Sequence, residues 1–376
     1  MKVAICGYPP LAQQMQDAFK DIEFKFFISD LVSNSGEGNN LVTNLPLITF
    51  FEFRRLVNTG ELDGVIIAAD GRDNFTKAVV QVLKLYAIPQ VGVVILNRFN
   101  PVSPIYWLDT DKAFVPIINT NIIDACNLNC KGCTHFAVLF NRDEIYPLET
   151  FRRDVRRFSE VADVPHFALL GGEPLLLDNL DKYIRITRQY FPKTNLRVAT
   201  NGLLIPQMSQ TVIDALIDTK AVVSVSVYQP TLKILDKIKA TLDTHKIFYK
   251  IWNPTQTFGV FLTLHDGNNP EESRKYCAGN DICRFMRDGK IYKCPPDALK
   301  FRLAEKFGIE GLPAATGVDL YAPNFSSMME RLDDNVEMCY WCSENPTRRI
   351  PWEPTNNPKL EDWLADPDEV KNLKTV

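Results

Sequence analysis

The sequence predicts an α/β protein: two successive parallel-sheet regions, then a cysteine-rich region. Three observations carry that expectation. Short apolar runs of strand length alternate with amphipathic runs of helix length from residue 3 to residue 264. The stretches richest in glycine, cysteine and asparagine fall just after the runs read as strands. Five of the nine cysteines lie past residue 270, where the alternation stops.

In the first region, strands are expected at 3–6, 23–28, 64–69 and 90–96, with helices at 11–19, 51–57 and 74–86. This makes a small parallel sheet flanked by helices, a Rossmann-like domain over 1–97. A dinucleotide-binding unit would carry G-x-G-x-x-G after its first strand. Here Gly7 stands alone before Tyr8, Pro9 and Pro10, so NAD binding is not expected. The pattern resembles the small N-terminal nucleotide-sugar-type domains on enzymes of bacterial surface-polysaccharide pathways. A packing or dimerisation domain fits it equally, because fold does not fix function. Residues 98–113, with Pro101 and Pro104, read as a linker.

The second region, 114–268, repeats the alternation. Strands are expected at 115–123, 166–170, 196–199, 222–227 and 247–251, with 260–264 a candidate sixth. Helices are expected at 148–161, 177–190, 209–218 and 232–242. Phe151, Val155 and Phe158 fall at helical spacing, so the arginines among them read as a solvated helix face. Six strand–helix units make a partial (β/α)6 barrel. Ligands of such sheets gather at the carboxyl ends of the strands. The loop from Cys126, the run Gly171-Gly172-Glu173-Pro174 and the run Thr200-Asn201-Gly202 all follow strand ends, so they share one face.

Cys126, Cys130 and Cys133 are spaced C-x3-C-x2-C. Soft sulfur ligands select iron–sulfur clusters, zinc or copper(I). Three thiolates are one short of the set that normally holds a 4Fe–4S cluster, which leaves one iron open. With Gly171-Gly172-Glu173-Pro174 following, this region resembles the radical S-adenosylmethionine (radical SAM) superfamily. The resemblance implies a cluster on Cys126, Cys130 and Cys133, with S-adenosyl-L-methionine chelating the open iron. Reductive cleavage then yields a 5′-deoxyadenosyl radical that abstracts a substrate hydrogen. It also implies that Gly171, Gly172, Glu173 and Pro174 hold the methionine end of the cofactor, glycine allowing close backbone approach. Thr200, Asn201 and Ser226, or Ser224 in its place, become candidates for ribose or carboxylate contacts. The plainer reading is a structural zinc site, with Glu173 in a surface salt bridge and the hydroxyl residues structural.

Beyond the barrel, Cys277, Gly289, Cys294, Cys339 and Cys342 surround a hairpin with an Asp288-Gly289 turn. Their spacing resembles the twitch domain, a short relative of the SPASM domain, over 269–345. It implies a second, auxiliary 4Fe–4S cluster on Cys277, Cys294, Cys339 and Cys342; a zinc ribbon is the alternative. Cys283 is left over as a substitute ligand, a core thiol or a hydrogen-atom donor. Cys6, on the first strand, is expected in the core.

The implied reaction is oxidation of an alcohol to a ketone on a sugar, nucleotide-sugar or aminocyclitol, with the auxiliary cluster as electron acceptor. Epimerisation with Cys283 as donor, a SPASM-type peptide maturase and a zinc-stabilised binding protein are the competitors. His135 is a candidate base. Arg284, with Arg287 and Lys290, either binds phosphate or assists alcohol deprotonation, or is a solvated hairpin charge. The resemblance implies a flavodoxin- or ferredoxin-type reductant. The polar tail, 346–376, bears Trp352 and Trp363; it either closes over the barrel mouth or lies on the surface.

A net charge of −4 gives no electrostatic footprint for nucleic acid. No apolar run approaches the roughly 20 residues of a membrane span. The opening apolar run is too short for a signal-peptide core. The cysteines are therefore expected in a reducing cytoplasm, doing metal or redox chemistry.

Overall fold

The computed structural model describes residues 1–32, 44–69, 74–95, 105–109, 111–277 and 283–372. The chain forms two compact units, Met1–Pro116 with Ala162–Pro165, and Ile117–Val161 with His166–Val376.

The first unit runs β1 (Lys2–Gly7), α1 (Pro9–Ala18), β2 (Glu23–Val32), β3 (Leu47–Ile48), α2 (Phe50–Asn58), β4 (Gly64–Ala69), α3 (Asn74–Leu85), β5 (Val91–Ile95), β6 (Tyr106–Trp107) and β7 (Ala113–Phe114). The sheet order is β3-β2-β1-β4-β5-β6, parallel except for the last pair. Alternation along the strands decides which helix each side chain meets. Ala4, Cys6, Val65 and Ile67 pack with Phe53 and Leu56 of α2 and Val80 and Leu83 of α3. Val3, Ile5, Phe27 and Ile66 pack with Met15 of α1 on the other face. Cys6 is fully buried on the α2–α3 face, as its place on the first strand leads one to expect. Thr49 and Glu52 cap α2 reciprocally, satisfying two amide groups that its first turn leaves open. Within the stretch read as a linker, Tyr106–Trp107 adds an antiparallel edge strand; residues 98–104 and 110 lie outside the described residues.

The second unit contains β8 (Ile117–Ile123), α4 (Leu148–Val161), β10 (His166–Gly171), α5 (Leu180–Tyr190), β11 (Asn195–Thr200), α6 (Gln210–Thr219), β12 (Val222–Val225), α7 (Gln229–Leu232), α8 (Leu235–Thr244) and β13 (Tyr249–Ile251). The two-residue β9 (Ala162–Asp163), between α4 and β10 in sequence, belongs to the first unit, where it pairs with β7. Then come β14 (Thr257–Gly259), α9 (Pro270–Arg274), β15 (Cys283–Arg287), β16 (Lys290–Tyr292), α10 (Pro295–Phe307), β17 (Val318–Asp319), α11 (Phe325–Glu330) and β18 (Arg349–Pro351). The sheet order is β13-β12-β11-β10-β8-β15-β16-β17, and it is open. Phe151, Val155 and Phe158 of α4 are fully buried, as their spacing predicts.

One expected strand is corrected. Residues 260–264 form no sixth parallel strand beside β13. Their backbone is paired with the C-terminal chain: Val260 N donates to Arg348 O, Leu262 N to Trp363 O and Thr263 N to Trp341 O. The sixth parallel strand is β15, which pairs with β8 on the opposite side of the sheet. The β15–β16 hairpin turns at Asp288 and Gly289, both with positive φ, as a two-residue Asp-Gly turn requires. Among the described residues, no helix is long and apolar enough to cross a membrane.

Candidate metal centre

Strand β8 ends at Ile123 and delivers Cys126 to the loop beyond it. The loop is fastened to the neighbouring strand end. Gly172 N donates to Ile123 O at 2.9 Å and Glu173 N to Ala125 O at 3.0 Å. A Cβ on Gly171 would stand 1.8 Å from Ile123 O, and one on Gly172 2.0 Å from Ala125 O. What these glycines admit is therefore the backbone that carries the cysteine loop.

Glu173 is fully buried, so the surface salt bridge considered for it is excluded. Its carboxylate accepts from Thr200 Oγ1 (2.7 Å), Asn201 N (2.8 Å) and Leu175 N (3.0 Å). Burial pushes its pKa up, against the pull of those donors. The Asn201 side chain continues the chain of bonds. Its amide nitrogen donates to Asn127 Oδ1 at 2.6 Å and lies 3.8 Å from Cys126 Sγ. Three motifs separate in sequence thus form one network at the carboxyl ends of β8, β10 and β11. Pro174 is buried and opens a 3₁₀ turn. Ser226 is half-buried just past β12, whereas Ser224 is buried and accepts from Trp252 Nε1 at 2.8 Å.

All three thiols are held above the ordinary cysteine range. Burial, with Cys133 adding to it, pushes Cys126 up to about 11 and Cys130 up to about 12. Burial also raises Cys133. Thiols held neutral by burial become strong ligands only when a cation offsets their charge, and an iron–sulfur cluster provides that charge. The all-sulfur donor set on one loop fits such a cluster. Among the described residues, no three of His, Cys, Asp and Glu are drawn together as ligands of a single metal ion.

Sequence reasoning left the C-terminal segment undecided between closing over the barrel mouth and lying on the surface, and did not foresee its bonds to the cysteine loop. Trp352 Nε1 donates to Cys130 Sγ at 3.1 Å, and Trp363 Nε1 to Cys133 O at 2.8 Å. Lys131 N donates to Glu353 O and Thr355 N to Asn129 O. The two tryptophans were the available signal, yet nothing local tied them to a loop more than 200 residues earlier.

The second cysteines also converge electrostatically. Cys294 stands just before the first turn of α10, and burial raises it, with Asp297, Cys277 and Cys339 adding to the shift. Cys342 is raised by burial and then by Cys294, Cys339 and Cys277. Cys339 is raised by burial, while the nearby Lys293 opposes the shift. The Lys293 ammonium is buried against the carbonyls of Leu332 and Asp334 at 2.9 and 2.8 Å. Cys283 opens β15 opposite Ile117, the first residue of β8. That is about 20 Å along the strand from the end that delivers the cysteine loop. Its side chain lies outside the described residues.

The hairpin charges have three different surroundings. Arg284 is buried and paired with Asp333 at 2.5 Å, so it is no solvated charge. Lys290 is exposed. Arg287 reaches Asp124, just past β8, at 2.6 Å. Asp124 also accepts from Asn121 Nδ2 at 2.8 Å. Asn121 Oδ1 therefore faces His135 Nδ1, 2.9 Å away. The Asp124 carboxylate only accepts, which turns the Asn121 amide nitrogen to it and the amide oxygen to His135; that oxygen also only accepts, so Nδ1 carries the imidazole proton and Nε2 a lone pair. Burial pushes the His135 pKa down to about 4, which keeps the ring neutral near pH 7.

Residues 120–277 match the Radical SAM superfamily. The chain is 29% identical over 108 residues to a GTP 3′,8-cyclase of Helicobacter pylori, covering 27% of this chain and 32% of that protein. It is 30% identical over 114 residues to a GTP 3′,8-cyclase of Sulfurovum, covering 29% and 33%. The chain spans about a third of the length of these curated relatives. A crystal structure of BtrN in complex with AdoMet and 2-DOIA aligns over 66% of this chain and 98% of that one, with 16% identity and a TM-score of 0.36.

Proposed function

We propose, from the match of residues 120–277 to the Radical SAM superfamily, that the chain oxidises an alcohol of a carbohydrate or aminocyclitol to a ketone. The observation that carries this reading is the second thiol group. The Cys294 and Cys342 thiols each feel those of Cys277 and Cys339 within the unit that bears the three-cysteine loop. Cys126, Cys130 and Cys133 would hold the first cluster, and the other four an auxiliary one. Gly171 to Pro174, Thr200, Asn201 and Ser226 would border the S-adenosylmethionine site. When bound, the first cluster with S-adenosylmethionine supplies a hydrogen-atom acceptor and the second cluster an electron acceptor.

The chain then has one task left, to take the hydroxyl proton. His135 Nε2 suits it, because the ring is neutral and its tautomer is set by Asn121. The backbone position of Cys283, beside Ile117, favours oxidation over inversion by a thiol donor. A ferredoxin- or flavodoxin-type protein would supply the reducing electron. The curated relatives are named for GTP, so a purine nucleotide is the competing substrate.

The test uses anaerobically reconstituted full-length protein. About eight irons per chain are expected for two 4Fe–4S clusters. Formation of 5′-deoxyadenosine from S-adenosylmethionine should vanish in Cys126/Cys130/Cys133→Ala. The Cys339/Cys342→Ala protein should keep that cleavage, lose about half the iron and yield no ketone from a panel of sugars, cyclitols and GTP. One zinc per site with no cleavage would sink the reading.

A further inference from the structure

The C-terminal chain is built into the three-cysteine loop. The loop's residues 129–131 and the tail's 353–355 run antiparallel, with a bridge between Cys130 and Pro354. Two main-chain bonds close it, Lys131 N to Glu353 O at 3.0 Å and Thr355 N to Asn129 O at 2.8 Å. Gly132 has φ +66°, and a Cβ there would stand 2.8 Å from Ile350 Cδ1 and 3.0 Å from Asp362 O. The loop thus has a glycine where the tail needs room. Trp363 is buried against Phe136 and Phe307 and bonded to the Cys133 carbonyl.

Trp352 differs from Trp363 in one respect: its N–H meets a ligand sulfur. The indole ring lies 5.5 Å from the Tyr228 ring at 31°, which fixes its plane. Its Nε1 then points at Cys130 Sγ, 3.1 Å away. A donor to a cluster-bound sulfur stabilises the more electron-rich, reduced state, so such bonds raise the reduction potential.

We propose that Trp352 belongs to the metal centre and sets its potential through an N–H···S bond to Cys130. This rests on the reading that the three thiols hold a cluster. Trp352 is a positioning and tuning residue; it takes no part in bond making. The segment 349–363 would accordingly be as much a part of the centre as the loop itself.

The experiment is a mediated redox titration of reconstituted protein, followed by electron paramagnetic resonance. The relevant signal is the one lost in Cys126/Cys130/Cys133→Ala. Trp352→Phe keeps a ring against Tyr228 and removes the donor. Its midpoint should become more negative, by about a tenfold change in the reduction equilibrium, or about 59 mV for one electron. Trp363→Phe loosens the tail without touching sulfur and should leave the midpoint in place. An unmoved midpoint in Trp352→Phe, or equal shifts in both variants, overturns the proposal.

Wild-type protein labelled with indole-¹⁵N tryptophan gives a test that needs no variant to fold. A hyperfine coupling between the reduced cluster and one indole nitrogen is expected; its absence also overturns the proposal. If the wild-type loop holds no cluster, the underlying reading fails first and is seen to fail by iron content alone.

Discussion

The two cysteine groups solve one problem in opposite ways. Cys126, Cys130 and Cys133 sit on a single loop, and the fold is spent on holding that loop. Three strand ends and the C-terminal chain converge on it through Glu173, Asn201, Trp352 and Trp363. Cys277, Cys294, Cys339 and Cys342 come from three separate stretches, and the fold is spent on bringing them together. Their support is an ion pair of the buried Arg284 with the half-buried Asp333, and a buried ammonium, Lys293, capped by carbonyls. The first group is therefore local in its ligands and distant in its supports. The second is distant in its ligands, and its buried charges sit close by them in the chain.

Glu173 offers the hardest blow to this contrast. Replacing it by alanine leaves the Thr200 hydroxyl and the Asn201 and Leu175 amides without their acceptor in a buried place. Each orphaned group costs on the order of 1–3 kcal/mol, so Glu173→Ala should lose roughly 3–5 kcal/mol of unfolding free energy. Chemical denaturation of the metal-free protein measures it. Iron in the first centre should fall while the second centre fills normally. Equal loss from both centres would show that the two groups share their support, and the contrast would go.

A smaller effect comes from His135. Its folded pKa, about 4, lies below the ordinary histidine value near 6.5. The unfolded chain thus binds the proton more readily between those values, and stability falls as the pH drops from about 6.5 toward 4. The ring is only half-buried, so the share lost between pH 7 and 5 should be roughly 1–2 kcal/mol. His135→Gln should remove that share of the pH dependence and leave the rest. If wild type and variant respond alike, burial does not depress this histidine, and its fitness as a neutral base is lost.

The sequence reading reached as far as local pattern reaches. Strand–helix alternation located β8, β10 and α4 because their periodicity lies within a few residues. The cysteine loop, the paired glycines and Thr200-Asn201 were legible because each follows a strand end. The role of the glycines was legible only in part. They admit Ile123 and Ala125 backbone, a fact that depends on which strands are neighbours. Residues 260–264 have strand composition, and composition cannot say that their partners are Arg348, Trp341 and Trp363. Arg287 and Lys290 look alike in sequence, yet only Arg287 meets a buried carboxylate across the parallel pairing of β15 with β8. Such pairings join residues more than 150 positions apart and leave no periodic trace.

The smallest expected effect concerns a charged contact between loop and tail. Lys131 Nζ lies 2.8 Å from Glu353 Oε2, with both side chains partly in solvent. Water screens such a pair, and holding two long side chains in one geometry costs entropy. The same two residues also meet through Lys131 N and Glu353 O, a bond that no side-chain substitution removes. Lys131→Ala should therefore leave the denaturation midpoint and the iron content of the first centre within error, at low and high salt alike. A salt-dependent loss of iron in wild type that disappears in Lys131→Ala would put the anchor in the ion pair. The main-chain ladder and the two indoles would then be consequences of docking, and the tail would hold the loop by charge.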